Sequence, residues 1–487
     1  MKNANSTFLY MKIANNIERQ IIDGVLKLGD KLPSIRVLHK EYGVSVSTVQ
    51  EAYYYLESKS LISSRPKSGY FVIHDKNCIF RSPKTTNPPQ EKVSKDACDF
   101  FSNFYQNSRP QGVANFAWAL PAPELLPVAK LKKSLHETIR VAADGGTNYD
   151  TIEGSVDLRR QIAQRTLLWG GNLSEKDLVI TSGCINALSL AFMATTEPGD
   201  TIVVESPVYF GVLQLANQLG LNIIELPTCP IDGMDIDALR TTLEYKKVNA
   251  ILVVANFNNP IGSIMPDKNK KELVKLSKQH QVPLIEDDIY GDLYFGKNRP
   301  STCKYYDDSG LVIWCSSFSK TLAPGYRIGW VAPGRYLDKI LKLKRYHSIA
   351  TNSIFQNAIH NFLVNGRYDH HLRKLRTTFC SNSHKILRGI KKYFPEDTLV
   401  SNPKGGFLIW IELNVKVDTQ KLHERANKYD IDFCPGRMFT LQNQYNNCLR
   451  LSFGMVWDEK VERALQKLGE LANEMINEAE EIQVLSH

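Results

Sequence analysis

Apolar positions recur every four residues through YMKIANNIERQIIDG, where Ile13, Ile17 and Ile21 form one stripe that Gly24 ends. LGDKLPSIRVLHKEYG then gives a turn, with Pro33 and Ser34 opening a short second helix. VSVSTVQEAYYYLESKSL predicts a third helix, with Ser45 as N-cap and Val49, Ala52, Tyr53 and Leu56 as its buried face. LISSRPKSGYFVI reads as two short strands around a Pro-Lys-Ser-Gly turn. Three helices and a hairpin describe a winged helix-turn-helix over residues 1–75. The period dissolves over 76–112, where SPKTTNPPQEKVSKD reads as a tether, with Phe100, Phe101, Phe104 and Tyr105 able to dock a short helix. From FAWALPAPELLP onward, in residues 113–487, strands and helices alternate, which predicts a mostly parallel sheet with helical crossovers.

The chemistry gathers at the strand ends of that second region. DLVITSG runs into the helix INALSLAFMATTEPG, TIVVES into PVYFG, AILVVANF into NNPIG, VPLIE into DDIYG, and LVIWC into SSFSK. Ligands of open α/β sheets bind beyond the carboxyl ends of the strands. Ser182, Gly183 and the backbone N–H groups of Cys184 and Ile185 suit an anion at a helix start, and Ser317, Ser319 and Arg327 add hydroxyls and a guanidinium. Tyr209 suits stacking on a flat ring, Asp287 a protonated ring nitrogen, and Asn259 and Tyr290 a phenolic oxygen. Lys320 suits a covalent bond to an aldehyde. Pyridoxal 5′-phosphate has all of these features. Asp288 reads as a helix cap or surface carboxylate, and the Cys184 side chain is given no role.

Residues 115–475 resemble the fold-type I aminotransferases, with S-G-x-x-x-x-L, N-P-x-G, D-x-x-Y, S-x-S-K and R-x-G in that family's order. The resemblance implies Lys320 as the catalytic, covalent anchor, Asp287 at the pyridine nitrogen, and Ser317, Ser319 and Arg327 at the phosphate. It also implies that Tyr149, in NYDTIEGSVDLRR, reaches the phosphate site of a partner subunit. Arg450, in CLRLSFG, would clamp a substrate or effector carboxylate. Ile261 stands where threonine is commoner.

The head resembles the GntR family through P-S-x-R-x-L, G-V-S, T-V-x-x-A-Y-x-x-L and the wing RPKSGYFV. That resemblance implies the helix from Ser45 in the major groove of operator DNA. The implied contact set is Ser34, Arg36, Ser45, Ser47, Thr48 and Gln50, with Arg65, Lys67 and Gly69 on the wing. Val46 stands where many relatives have Arg or Lys. The head and body together resemble the MocR family of bacterial regulators, which implies a domain-swapped homodimer whose cofactor pocket senses an amino compound or the cofactor itself. The whole is an α/β chain: an N-terminal winged helix-turn-helix, then a fold-type I aminotransferase-like domain with a mostly parallel central sheet and a smaller C-terminal α/β part.

Composition narrows this reading. With 487 residues, two or three domains are expected. A 43% hydrophobic, 23% charged chain with no apolar run near the ~20 residues of a membrane span is globular. Nine cysteines without a C-x-x-C pair argue against a disulfide framework and a zinc ribbon. The start lacks the apolar core of a signal peptide, so a cytoplasmic place is expected, with no membrane and no metal. Residues 1–74 hold ten Lys and Arg against six Asp and Glu, which fits a nucleic-acid partner. Three alternatives stay open: an aminotransferase with an accessory head, a plain cofactor-binding scaffold, and a winged helix used only for protein contacts.

Overall fold

The protein is represented by a computed structural model that describes residues 9–58, 61–65, 68–73, 80–83, 85 and 114–485. Of the expected tether only residues 80–83 and 85 are described, with Phe80 packed against the core of the body; its four aromatic residues, and Lys67 in the wing turn, lie outside the described residues.

In the head, α1 (Leu9–Ile22) buries Ile13, Ala14, Ile17 and Ile21 on one face, as the four-residue period predicts. Helix α2 (Ile35–Tyr42) starts at Ser34, whose hydroxyl accepts the Val37 N–H at 3.3 Å. It stops at Gly43, whose φ of 63° is a left-handed conformation that costs glycine little. Helix α3 (Val46–Ser58) begins behind Ser45, whose Oγ accepts the Thr48 N–H at 3.1 Å. Val49, Ala52, Tyr53 and Leu56 are fully buried and close the core against α1 and α2. Strands β1 (Ile62–Arg65) and β2 (Gly69–Val72) pair antiparallel, with Ile62 opposite Val72 and Arg65 opposite Gly69. This is the winged helix-turn-helix that the pattern predicts.

In the body, a two-residue strand β3 (Ala114–Asn115) precedes the central sheet of β4 (Val179–Thr181), β5 (Thr201–Ser206), β6 (Asn222–Cys229), β7 (Gly233–Met234), β8 (Ala250–Val253), β9 (Leu284–Asp287), β10 (Val312–Ser317) and β11 (Gly329–Ala332). The order across the sheet is β4-β11-β10-β9-β8-β5-β6-β7. Strands β5, β6, β8, β9 and β10 are mutually parallel, and β4 shares their direction because β11 runs antiparallel to both β4 and β10. Helices cover both faces, so the strands carry continuous buried runs such as Ala250–Val253 rather than an alternation. Sequence-adjacent strands β5 and β6 extend the sheet one way, and β8, β9 and β10 extend it the other. Between β5 and β8 the order reverses, and a crevice opens there at the carboxyl ends.

The C-terminal part carries β12 (Leu399–Val400), β13 (Leu408–Glu412), β14 (Ile431–Asp432), β15 (Cys434–Pro435) and β16 (Cys448–Ser452). Its antiparallel sheet runs β12-β13-β16-β15, while β14 pairs in parallel with β3. The long helices Arg367–Tyr393 and Glu459–Leu485 join its core to that of the central sheet. Residue Arg450 sits in mid β16, opposite Trp410 and Cys434, and so faces the crevice from the C-terminal side.

Asp288 corrects one expectation. It is neither a cap nor at the surface: it is 1% exposed, directly after β9. The Arg299 Nη2 lies 2.5 Å away, and the Trp314 Nε1 and Asn256 Nδ2 donate to it at 3.1 Å each. The turn after β9 folds inward, and Gly291 has no room for a side chain, since a Cβ there would stand 2.4 Å from both Arg299 and Asp288. Arg299 also bonds Asp292 at 2.8 Å. A pair this well buried contributes little net stability, but losing one partner leaves a bare charge in the core. Arg299→Ala is therefore expected to destabilise the body by about 3–5 kcal/mol, read as a lower denaturant midpoint with the far-ultraviolet spectrum retained. An unchanged midpoint would contradict the pairing.

Candidate functional site

At the reversal point the crevice encloses about 310 Å³. Lys320, Asp287, Arg327 and Arg450 are the charged groups on its wall. Each is delivered by a different local device.

Asp287 ends β9, and its carboxylate is buried. The Cys184 thiol donates to its Oδ1 at 3.3 Å and the Ile289 N–H at 3.1 Å. Burial pushes its pKa up to about 6, against the pull of those two donors and of Lys320. No cation is hydrogen-bonded to it among the described residues. Lys320 follows β10 by three residues, and its Nζ donates to the Ala119 carbonyl at 2.7 Å. Burial, and then the Arg450 charge, bring its pKa down to about 8. Tyr290, 2% exposed, is pushed upward by burial, and its ring centroid lies 6.0 Å from Lys320 Nζ.

Arg327 holds a left-handed backbone (φ 54°) that turns its guanidinium back toward the start of helix Cys184–Thr195. Its Nη1 donates to Ser319 Oγ at 3.3 Å and its Nη2 to the Ser182 carbonyl at 3.2 Å. Gly183 makes that approach possible: a Cβ there would lie 2.3 Å from Arg327 Nη2. Helix N-terminus, Ser319 hydroxyl and guanidinium together form an anion cradle.

Arg450 is 1% exposed. Its Nη1 donates to Asn259 Oδ1 at 3.3 Å, and its Nη2 meets the Ala117 carbonyl and, at 3.0 Å, Cys434 Sγ. Its Nε is buried with no partner among the described residues. Buried unpaired donors are rare and call for an acceptor.

The structure thus gathers Cys184, Ile185, Tyr209, Asn259, Asp287, Tyr290, Ser319, Lys320, Arg327 and Arg450 on one cavity wall. Ser182 and Gly183 border it through Arg327. Ser317 does not line it: its hydroxyl accepts the Ser319 N–H at 3.2 Å and shapes the turn instead. Tyr149 lies outside the cavity of its own chain and is 81% exposed. In the head, Ser34, Arg36, Ser45 and Ser47 are exposed and Thr48 and Gln50 half-buried. The Ser45 hydroxyl lies 2.7 Å from those of both Ser47 and Thr48. Gly69, with φ at 102°, opens β2. The backbone of Arg65 ends β1, and Lys67 is outside the described residues.

Three features escaped the sequence reading. The Cys184 thiol touches Asp287, a contact hinted at only by its place directly after the Ser-Gly turn. Glu205, buried at the end of β5, accepts the Val254 N–H at 2.7 Å and Asn258 Nδ2 at 2.9 Å, which steadies the loop that carries Asn259. The carbonyls of Ala117 and Ala119 have no sequence signature at all.

Residues 9–72 match the family of bacterial regulatory proteins of the gntR type, and residues 120–468 match aminotransferase class I and II. The HTH-type transcriptional regulator YjiR of Escherichia coli (strain K12) is 37% identical over 461 residues, 95% of this chain and 98% of its own length. The chain belongs to the MocR family of regulators. A second such regulator from the same strain, YdcR, is 35% identical over 96% of this chain and 99% of its own length. Among solved structures, the α-aminoadipate aminotransferase LysN of Thermus thermophilus, complexed with N-(5′-phosphopyridoxyl)-L-leucine, superposes with a TM-score of 0.70 at 27% identity, covering 74% of this chain and 92% of that one. The MocR assignment thus agrees with the fold in both halves.

The donor set fits pyridoxal phosphate: an anion cradle at Arg327, an amine at Lys320, and at Asp287 a buried carboxylate with no cation hydrogen-bonded to it among the described residues. Only the neutral amine adds to a carbonyl. With the Lys320 pKa at about 8, the neutral fraction rises ~10-fold per pH unit below that value and levels above it. Covalent capture of the aldehyde by the apo-protein is therefore expected to speed up from pH 6 to about 8 and then flatten. Rates that keep climbing past pH 10, followed by visible absorbance, would contradict a depressed Lys320.

Proposed function

We propose that this protein is a DNA-binding transcriptional regulator that holds pyridoxal 5′-phosphate at Lys320 and senses an amino compound in the same cavity. One observation carries it: four charged groups from β9, the segment after β10 and β16 converge on one cavity, in a chain that also bears a winged head. When bound, the cofactor supplies an electrophilic carbon conjugated to an electron-withdrawing ring. Asp287 would hold the ring nitrogen and Lys320 the aldehyde carbon. Ser182, Gly183, Cys184, Ile185, Ser319 and Arg327 would hold the phosphate, with Ser317 shaping the turn that presents Ser319, Asn259 and Tyr290 the phenolic oxygen, and Tyr209 the ring face. The amine of the sensed compound would lie against Lys320, whose amine is poised to take or give a proton, and Arg450 would take a carboxylate. Two conformations that differ in these contacts would differ in free energy, and only such a difference can change how the heads meet DNA.

The MocR relatives match over nearly their whole length, which supports residues 1–75 as the DNA-binding unit, 76–112 as the connection and 113–487 as the cofactor-binding unit. The largely exposed Tyr149 fits a homodimer in which it enters the partner's site, with the heads exchanged. A cytoplasmic place suits a DNA partner, and no helix among the described residues is long and apolar enough to cross a membrane. Transamination is the second reading, favoured by Lys320 itself: a nearby amine with its pKa near 8 can carry a proton. Steady-state amino transfer to common keto acids would establish it.

Binding to promoter fragments, measured with and without a panel of amino compounds, tests the sensor. A shift in affinity that Lys320→Ala abolishes is expected; equal shifts in both proteins would contradict it. For the head, Arg36→Ala is expected to weaken DNA binding ~5- to 150-fold and leave the visible spectrum of the cofactor unchanged. Undiminished binding would remove Arg36 from the interface.

A further inference from the structure

The cavity wall carries three cations, Lys320, Arg327 and Arg450, and one carboxylate, Asp287. On the reading above, each is already engaged. Arg327 takes the phosphate, Asp287 the ring nitrogen, Lys320 the aldehyde carbon and Arg450 one carboxylate. Among the described residues, no fifth charged group faces the space that remains. The lining not assigned above includes Ala117, Trp118, Leu120, Phe210 and Cys434, with Asn259 and Cys434 bonded to Arg450. Cys434 is a neutral thiol there, since burial raises its pKa to about 11. A second carboxylate or an ammonium on the ligand would lose its hydration without gaining a partner, a large penalty.

A second set of contacts describes how such a ligand enters. Residues 117–120 form a short strap between β3 and the turn at Pro123–Leu125. Its Ala117 carbonyl sits on Arg450, and its Ala119 carbonyl accepts from Lys320 at 2.7 Å. Two peptide oxygens thus occupy the guanidinium that a carboxylate requires and the amine that an aldehyde requires. The buried Arg450 Nε, with no partner among the described residues, is what a bidentate carboxylate would satisfy and a single carbonyl does not.

We propose that the sensed compound is an amino acid with a single carboxylate and an uncharged, apolar side chain, which seats by taking Arg450 from the Ala117 carbonyl and so displaces the Ala117–Leu120 strap. This rests on the cofactor reading of the site and narrows it.

The test uses the full chain reconstituted with pyridoxal phosphate. L-Methionine, L-glutamate and L-lysine have unbranched side chains of similar length, so they vary charge at nearly constant shape. 3-(Methylthio)propylamine is methionine without its carboxylate. Titrations followed by visible absorbance are expected to give L-methionine an apparent dissociation constant at least ~10-fold below those of the other three. The Trp118 contribution to emission, taken as wild type minus Trp118→Phe, is expected to change as L-methionine saturates. L-Glutamate or L-lysine binding as tightly, or the amine matching L-methionine, would overturn the ligand class. So would silence toward all four compounds in a protein that shows the cofactor band. Unaltered Trp118 emission at saturation would overturn the strap. If no cofactor band forms, the failure belongs to the cofactor reading instead.

Discussion

A carboxylate and an amine are held out of water at the ends of neighbouring strands, and the rest of the body exists to make that tolerable. Asp287 and Lys320 each lose solvation, which shifts the acid up and the base down toward the same pH region. Two such groups with so little support inside the protein are poorly satisfied when alone. A thiol, a backbone N–H and a peptide carbonyl are weak substitutes for ions. The parallel sheet supplies the geometry at the cost of this strain, because β9 and β10 lie side by side with Asp287 opposite Cys315. The same turn that presents Asp287 drives Asp288 into the core, where Arg299 neutralises it. One face of the sheet end is therefore a finished ion pair and the other an unfinished one. Only the unfinished one can bind something.

Incompleteness recurs around the cavity. Arg450 has a buried N–H with no partner among the described residues, and backbone carbonyls, those of Ala117 and Ala119, are what Arg450 and Lys320 hold. A site that merely retained an old enzyme's shape would gain stability by filling these gaps with apolar side chains. Their persistence in one cavity argues for occupancy. The winged head has by contrast a core of its own, drawn from Ile, Val, Leu, Ala and Tyr of residues 13–72, and it leaves Ser34, Ser45, Ser47 and Arg36 exposed. Occupancy is thus decided in the body, and contact with DNA in the head.

Much of this was legible in the chain because the informative signals were local. A four-residue apolar period placed α1, and Ser34 and Ser45 announced the helix starts that their hydroxyls cap. Five strand ends in succession named the cavity wall, since a parallel sheet puts every carboxyl end on one side. What was not legible depends on where the chain returns. Asp288 looked like a surface carboxylate because its partner, Arg299, arrives only after a further turn. Ser317 belonged to the right segment but turns its hydroxyl to Ser319. Backbone carbonyls such as Ala117 and Ala119 carry no side-chain label, so a strap built from them is silent in sequence. Glu205 was hidden for the related reason that a buried acid at a strand end looks like any other strand residue.

The bond proposed between Lys320 and the cofactor is covalent, so chemistry at a single side chain tests it. The full-length protein, incubated with pyridoxal phosphate and reduced with borohydride, is digested and mapped by mass spectrometry. One phosphopyridoxyl group is expected, on the peptide carrying Lys320, and none in Lys320→Ala. Label spread over surface lysines, or a Lys320 peptide recovered unmodified, would contradict it.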